Sequence, residues 1–478
     1  MNKHLDVTND MANGEAPKPV RHPTLLALIV GGAFFMEVLD GSIIAPAVPE
    51  IARSFDTSAV AVSAGISSYL ITVAIFIPAS AWLSERLGAR NVFACAIALF
   101  TLSSIMCGLS GTLTQFTLAR IVQGVGGAMM SPVGRIAVLR RTEKSEMLRI
   151  VAYLSWPGLT AFIVGPPVGG FLTTMLSWRW IFFINIPIGL VGIALVLIFF
   201  DREPANAKRR FDALGFVLTG GALACLMYGI EGISRHAGIV ISAGFMLAGA
   251  LLGAAALRHA NRHPTPILPL TLFKIASFRT AILLGGLPFR LVSGANGFLV
   301  PVMFQVAFGK SALDAGVLFG YFLAGDLVIK VVANRLIRWF GFRPMLIATS
   351  LSIAASLVAF MMIDRNTPLP LLIPLLVASG AVRSIQFTAL NTIVYADMPQ
   401  EQIGNASTLN SMLQQLGFGL GVGLAAIVLA VSSQWHGGGS GALTLFDFRA
   451  GYAFCLVLIL LSVGVYVRMP AQTGAHMR

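Results

Sequence analysis

About fourteen apolar stretches, each near the ~20 residues that cross a bilayer, follow one another along this chain with short polar breaks between them. Hydrocarbon offers no partner to backbone N–H and C=O groups, so each such stretch must satisfy its own hydrogen bonds as a helix. The composition agrees: of 478 residues, 56% are hydrophobic and 11% charged, against about 25% charged in ordinary soluble domains. The expected fold is an all-α integral membrane protein of about 14 transmembrane helices. A net charge of +13 would suggest nucleic acid in a soluble protein; here the basic residues lie mainly in alternate loops, where they orient the chain, and no nucleic acid is expected.

Most of the 33 Lys and Arg fall in the loops and tails of one side, among them Arg86, Arg90, Arg140, Arg141, Lys144, Lys208, Arg209, Arg210, Arg335, Arg338 and Arg343. The opposite loops hold Arg53, Arg179, Arg235, Lys310, Arg365 and Arg449. This bias predicts that both termini are cytoplasmic, an arrangement that an odd number of spans would break. The first run, Leu25 to Val48, is too long for a cleaved signal peptide and reads as a retained span. Cys95, Cys107, Cys225 and Cys455 lie in apolar stretches and form no C-x-x-C pair, so they read as small core residues.

A short repeat divides the chain. Ala81 to Arg90 follows the second span and Asn334 to Arg343 follows the tenth, with Leu83, Gly88 and Arg90 answered by Leu336, Gly341 and Arg343. Two six-helix halves related by a pseudo-two-fold are expected, with an extra helix pair inserted between them. The boundaries read as a cytoplasmic tail at 1–23, an N-terminal half at 24–200, an inserted pair with its linker at 201–260, a C-terminal half at 261–468 and a second tail at 469–478.

Charges inside spans point to function. A carboxylate at bilayer depth costs roughly 2.5–3.5 kcal/mol on insertion scales, so Asp40 and Glu37 in the first span need partners, protons or a task. Asp40 lies at a depth in span one similar to that of Arg120 in span four, so the two can meet. Burial and a neighbouring guanidinium would pull the proton affinity of Asp40 in opposite directions, which suits a group that gains and loses a proton; a static buried ion pair is the other reading. Glu37, three residues from Asp40 and on much the same face, either carries protons or packs against a basic residue such as Arg290. Asp326 and Lys330, spaced i, i+4 in span ten, are expected to form an intramembrane ion pair. Arg290 and Arg383 have no local acid and are expected to face a bundle interior or a wet cavity, where Gln123, Asn296 and Asn391 either contact a substrate or hydrogen-bond between helices.

Four ordered motifs carry a family resemblance. Leu39-Asp40-Gly41-Ser42-Ile43-Ile44 to Pro49 is similar to the first-helix motif of the fourteen-helix drug:proton antiporters of the major facilitator superfamily. Ala81 to Arg90 resembles the superfamily's G-x-L-A-D-R-x-G-R-R loop, with Ala81 and Glu85 in place of its first Gly and its Asp. Arg120-Ile121-Val122-Gln123-Gly124-Val125-Gly126 resembles its fourth-helix R-x-x-Q-G-x-G pattern, and Gly165-Pro166-Pro167-Val168-Gly169-Gly170 the fifth-helix antiporter motif. The resemblance implies proton coupling through Asp40 and Arg120, with Glu37 nearby. It also implies a seal on the outer side at Gly165, Pro166, Gly169 and Gly170, and a cytoplasmic latch at Glu85, Arg86, Gly88 and Arg90. The implied activity is proton-coupled export of small amphiphilic or drug-like molecules by alternating access across a bacterial inner membrane. An exporter of an anionic metabolite or metal chelate on the same fold, held by Arg290 and Arg383, is the first alternative, and a transport-inactive receptor or scaffold the second.

Other classes find little support. Gly309-Lys310-Ser311 resembles part of a phosphate loop, but Phe304 stands where that motif needs Gly. The seven histidines fall in tails and loops, so no haem or intramembrane metal cluster is expected, and no nucleophile with its base suggests an enzyme. No cofactor is expected; the partners are a small-molecule substrate, protons and lipid, and a monomer is the expected form.

Overall fold

A computed structural model describes residues 23–139, 142, 146–201, 211–234, 239–264, 266–399, 402–435, 443–470 and 473. The basic loop residues Arg140, Arg141, Lys144, Lys208, Arg209 and Arg210, and the tail over residues 1–22, lie outside the described residues. The described chain forms α1 (Pro23–Ile43), α2 (Val48–Ser54), α3 (Ala59–Leu87), α4 (Ala89–Leu109), α5 (Leu113–Leu139), α6 (Met147–Met175), α7 (Trp180–Phe183) and α8 (Asn185–Phe199). It continues through α9 (Ala213–Ser234), α10 (Ile239–Ala260), α11 (Ala276–Arg279), α12 (Gly286–Val306), α13 (Ala312–Phe340), α14 (Phe342–Met362), α15 (Leu369–Ile393), α16 (Ile403–Trp435) and α17 (Leu445–Val467).

Thirteen stretches of these helices are long and apolar enough to cross a membrane. The protein is therefore an all-helical, multi-pass membrane protein. α5 spans 27 residues but is not one of the thirteen, since it carries Arg120, Gln123 and Arg135 in a less apolar sequence. It nevertheless packs between α3 and α4 with buried Ala119, Gly124 and Gly126.

The local sequence explains where the helices start and stop. Ser58 and Ser311 cap α3 and α13 by accepting from the backbone N–H of Ala61 and Asp314, at 3.2 and 3.0 Å. Thr444 and Asp447 form a capping box at the start of α17. Gly88 and Gly341 sit between successive helices at φ 81° and 84°, a backbone region that disfavours any side chain.

These two glycines also mark the repeat. Two residues on, Arg90 donates to the carbonyl of Leu197 in α8, and Arg343 donates to that of Val467 in α17 at 2.8 Å. Each arginine thus ties the same kind of turn to the helix that ends its half.

The pair α9 and α10 pack chiefly on each other, and α9 also lies against α3 and α16. Only 17% of the spanning window of each is buried, compared with 78% for α3 and for the stretch containing α12. Their apolar surface faces outward, as expected for helices at the lipid edge of a bundle.

Candidate functional site: a buried ion-pair network

Asp40 and Arg120 meet inside the first bundle. Asp40 is 1% exposed and Arg120 0%, and the Arg120 Nη1 donates to Asp40 Oδ2 at 2.5 Å and to Gln123 Oε1 at 2.6 Å. Gln123 lies one helical turn after Arg120 on the same face and donates through Nε2 to Asp40 Oδ1 at 2.9 Å and to Ser104 Oγ at 2.7 Å. Asn185, at the start of α8, donates to Asp40 Oδ1 and Ser104 Oγ at 3.2 and 3.1 Å. The guanidinium also lies over the Tyr69 ring, 4.2 Å from its centroid. Side chains of α5 and α8 therefore converge on the α1 carboxylate, and Ser104 of α4 joins the network through Gln123 and Asn185.

The network is not fully satisfied. Among the described residues, the buried Arg120 Nε and Nη2 and Asn185 Oδ1 have no hydrogen-bond partner. In a low-dielectric interior, a charged network with spare donors is held less tightly than a saturated one. It is suited to exchanging partners, protein or water.

Glu37 occupies a different setting. It is partly exposed and accepts from Ser131 Oγ of α5 at 2.5 Å. Ser131, and not Arg290, is its partner.

The second half holds a related constellation. Arg383 of α15 pairs with Asp326 of α13, and Gln386, one turn on, donates to Ser350 Oγ of α14 at 2.9 Å. Arg-x-x-Gln thus occurs in both halves, at Arg120 to Gln123 and at Arg383 to Gln386. In each, the arginine takes an acid from another helix and the glutamine donates to a serine on the preceding spanning helix. Arg383 also approaches the rings of Phe322 and, across from the first half, Phe162 of α6.

Several expected placements change. Asp326 pairs with Arg383 and not with Lys330, which makes no ion pair among the described residues. A guanidinium from a facing helix reaches the carboxylate with less loss of side-chain freedom than a lysine on the same helix. Arg290, 2% exposed, takes the bundle interior; its Nη2 donates to Asn410 Oδ1 at 2.7 Å and its Nη1 to the Ile282 carbonyl at 3.3 Å. Asn391 accepts from Asn410 Nδ2 at 3.1 Å and so belongs to that same packing chain. Gln123 is enclosed with Asp40 and does not line a cavity. Asn296 and Arg383 do share a cavity, with Phe289, Ser293 and Phe322.

The glycine-proline run of α6 lies where two backbones touch. A Cβ at Gly169 would stand 2.1 Å from the Ile43 carbonyl oxygen, and one at Gly170 2.4 Å from that of Ala312 in α13. The reverse contact is equally close, since a Cβ at Gly316 would stand 2.3 Å from the Pro166 carbonyl oxygen. Gly165 abuts Ser42 in the same way, and Gln305 of α12 donates to the Pro46 carbonyl at 2.9 Å. The Gly170, Gly316 and Gln305 contacts bind the two halves at the face opposite the Lys/Arg-rich one, whereas Gly165 and Gly169 pack α6 on α1 within the first half. On the basic face, Arg86 stacks on Trp82 while Arg90 reaches α8 and Glu85 keeps its own partner.

Asn185, Ser104 and Tyr69 escaped the sequence reading. Asn185 had a signal: it is the one polar side chain in the apolar run from Trp180 to Phe200. Ser104 and Tyr69 had none, since single hydroxyls are common in spans.

The sequence matches the family model for the Major Facilitator Superfamily over residues 30–422 and 282–475. A curated relative from Salmonella newport (strain SL254), named "Putative multidrug resistance protein MdtD", is 35% identical over 454 residues, which cover 94% of this chain and 95% of the relative. Its namesake from Salmonella typhimurium is 36% identical over the same length. Among solved structures, the D-xylose-proton symporter superposes with a TM-score of 0.65 at 15% identity, covering 95% of this chain and 98% of that one. The POT family transporter PepTSo superposes with a TM-score of 0.68 at 13% identity, covering 93% and 97%.

Proposed function

The chain belongs to the Major Facilitator Superfamily, and on that premise we propose that it is a proton-coupled antiporter exporting small amphiphilic or drug-like molecules across a bacterial inner membrane. The observation that carries this reading is the buried Asp40–Arg120 pair with unpartnered guanidinium nitrogens. A purely structural ion pair gains from saturating its donors, because each unmet buried group costs stability. This one instead keeps donors in reserve beside a titratable carboxylate.

The basic face is taken as cytoplasmic, with α5 crossing the membrane as a fourteenth span. The contacts of Gly170 and Gly316 then seal the outer side, so the conformation is one closed to the outside. Rocking of the halves opens those contacts and lets a proton from outside reach Asp40. Once Asp40 is neutral, Arg120 loses its counter-charge and turns to other acceptors, which reshapes the bundle around α1 and α5. Proton release to the cytoplasm through partly exposed Glu37 and Ser131 resets the pair.

The drug-like reading rests on the relatives' printed names and on the fate of the arginines. Arg290 is committed to Asn410 and Arg383 to Asp326, so each of the two arginines that an anion would need already has a partner. Asn296, Ser293 and the rings of Phe289 and Phe322 remain to contact an amphiphile. The test is to follow proton release from energised inverted vesicles against cationic, neutral and anionic compounds. Dissipation of the gradient by apolar cations or neutral amphiphiles is expected; dissipation by anions alone would overturn the drug-export reading.

A further inference from the structure

On the basic face, away from the ion-pair networks, the geometry points to a site for a divalent transition-metal ion of the zinc class made by Asp212, His259 and His263. His259 ends α10 and His263 follows one turn on, so both rings lie on one side, with centroids 5.1 Å apart. Asp212 arrives from the residue before α9 and is 5% exposed. One ligand atom from each of the three lies within 4.8 Å of the others.

The carboxylate is already oriented. The Gly215 backbone N–H donates to Asp212 Oδ1 at 2.8 Å, and that of Ile267 donates to Oδ2 at 3.2 Å. Such outer contacts fix a ligand before the ion arrives.

Two imidazoles and one carboxylate suit zinc, cobalt(II) or nickel(II) and not the oxygen-seeking magnesium or calcium. His259 Nε2 now stands 2.7 Å from Asp212 Oδ1, a hydrogen-bond distance. Ligand atoms bound tetrahedrally at ~2.0–2.1 Å are ~3.3 Å apart, so binding requires His259 to withdraw by about 0.6 Å while His263 turns in. Arg258 and Arg262, the neighbouring cations on the same turn, are exposed and directed to solvent. Water completes the coordination. The ion would clamp the start of α9 to the end of α10 and to Ile267, where the chain enters the second half. α10 packs chiefly on α9, so this clamp would hold a helix with few other ties.

The test is zinc binding to the full-length, chelator-stripped and tag-free protein, with cobalt(II) absorption as a second readout. One zinc per chain is expected, with a tetrahedral cobalt spectrum and a rise in melting temperature as zinc selects the folded state. His259→Gln and His263→Gln should each weaken binding by at least the ~10–100-fold that loss of a mere outer-shell partner costs. Replacing His4, His22, His236, His436 and His476 together by Gln should leave it unchanged. His263→Gln keeps the Asp212–His259 hydrogen bond, so a loss there is not a folding defect. Undiminished binding in His263→Gln, no stoichiometric zinc, or equal competition by magnesium would each overturn the site.

Discussion

Arg120 presents Nη1 to Asp40 at 2.5 Å while its buried Nε and Nη2 have no hydrogen-bond partner among the described residues. Removing the acid alone strands a charge; removing both charges does not. Arg120→Ala should cost about 3–5 kcal/mol through the orphaned Asp40, whereas Asp40→Asn with Arg120→Gln should cost much less. Urea or thermal unfolding in detergent checks the order, and equal losses would show that the pair's charge does not matter to stability.

The second pair makes the same demand. Arg383→Ala strands buried Asp326 and should also cost about 3–5 kcal/mol, largely recovered in the double variant with Asp326→Ala. Lys330→Met should change stability by less than about 0.5 kcal/mol, because Lys330 takes no part in an ion pair among the described residues. A double-mutant cycle that coupled Asp326 to Lys330 more strongly than to Arg383 would reverse the assignment.

Arg90 and Arg343 are predicted to behave alike. Each donates one hydrogen bond to the helix that ends its half, so Arg90→Ala and Arg343→Ala should each lower stability by about 0.5–1.5 kcal/mol. Their effects should add, since the two lie in different halves. A large effect of one and none of the other would break the structural parallel.

The α6 seal gives a steric prediction. Gly170→Val places carbon against the Ala312 carbonyl of the other half and should disfavour the closed outer face by about 1–3 kcal/mol. A cysteine introduced at Ala312 should then react faster with an impermeant thiol reagent added from outside. Unchanged labelling would remove the α6 run from the seal.

The legible parts of this chain were those with a strong energetic penalty. Apolar length identified the helices, and the Asp40–Arg120 match in depth followed from rise per residue, because charges that deep need each other. Asp326 was misassigned because helical spacing reveals neighbours on one helix, whereas Arg383 reaches it from a facing one. Arg290 had no acid to find: it is held by Asn410 and a carbonyl, contacts that leave no charge pattern in a sequence. The Arg-x-x-Gln repeat at Arg383 to Gln386 was visible, and aligning the halves on it would have grouped Arg383 with Gln386 and Ser350 rather than with Arg290.

Proton coupling through Asp40 is tested most directly by comparing two transport modes of Asp40→Asn in proteoliposomes, using protein that elutes as folded. With an imposed proton gradient, uphill accumulation of a substrate should fall to background, while exchange of labelled for unlabelled substrate without a gradient persists. Full gradient-driven accumulation by Asp40→Asn would contradict the assignment.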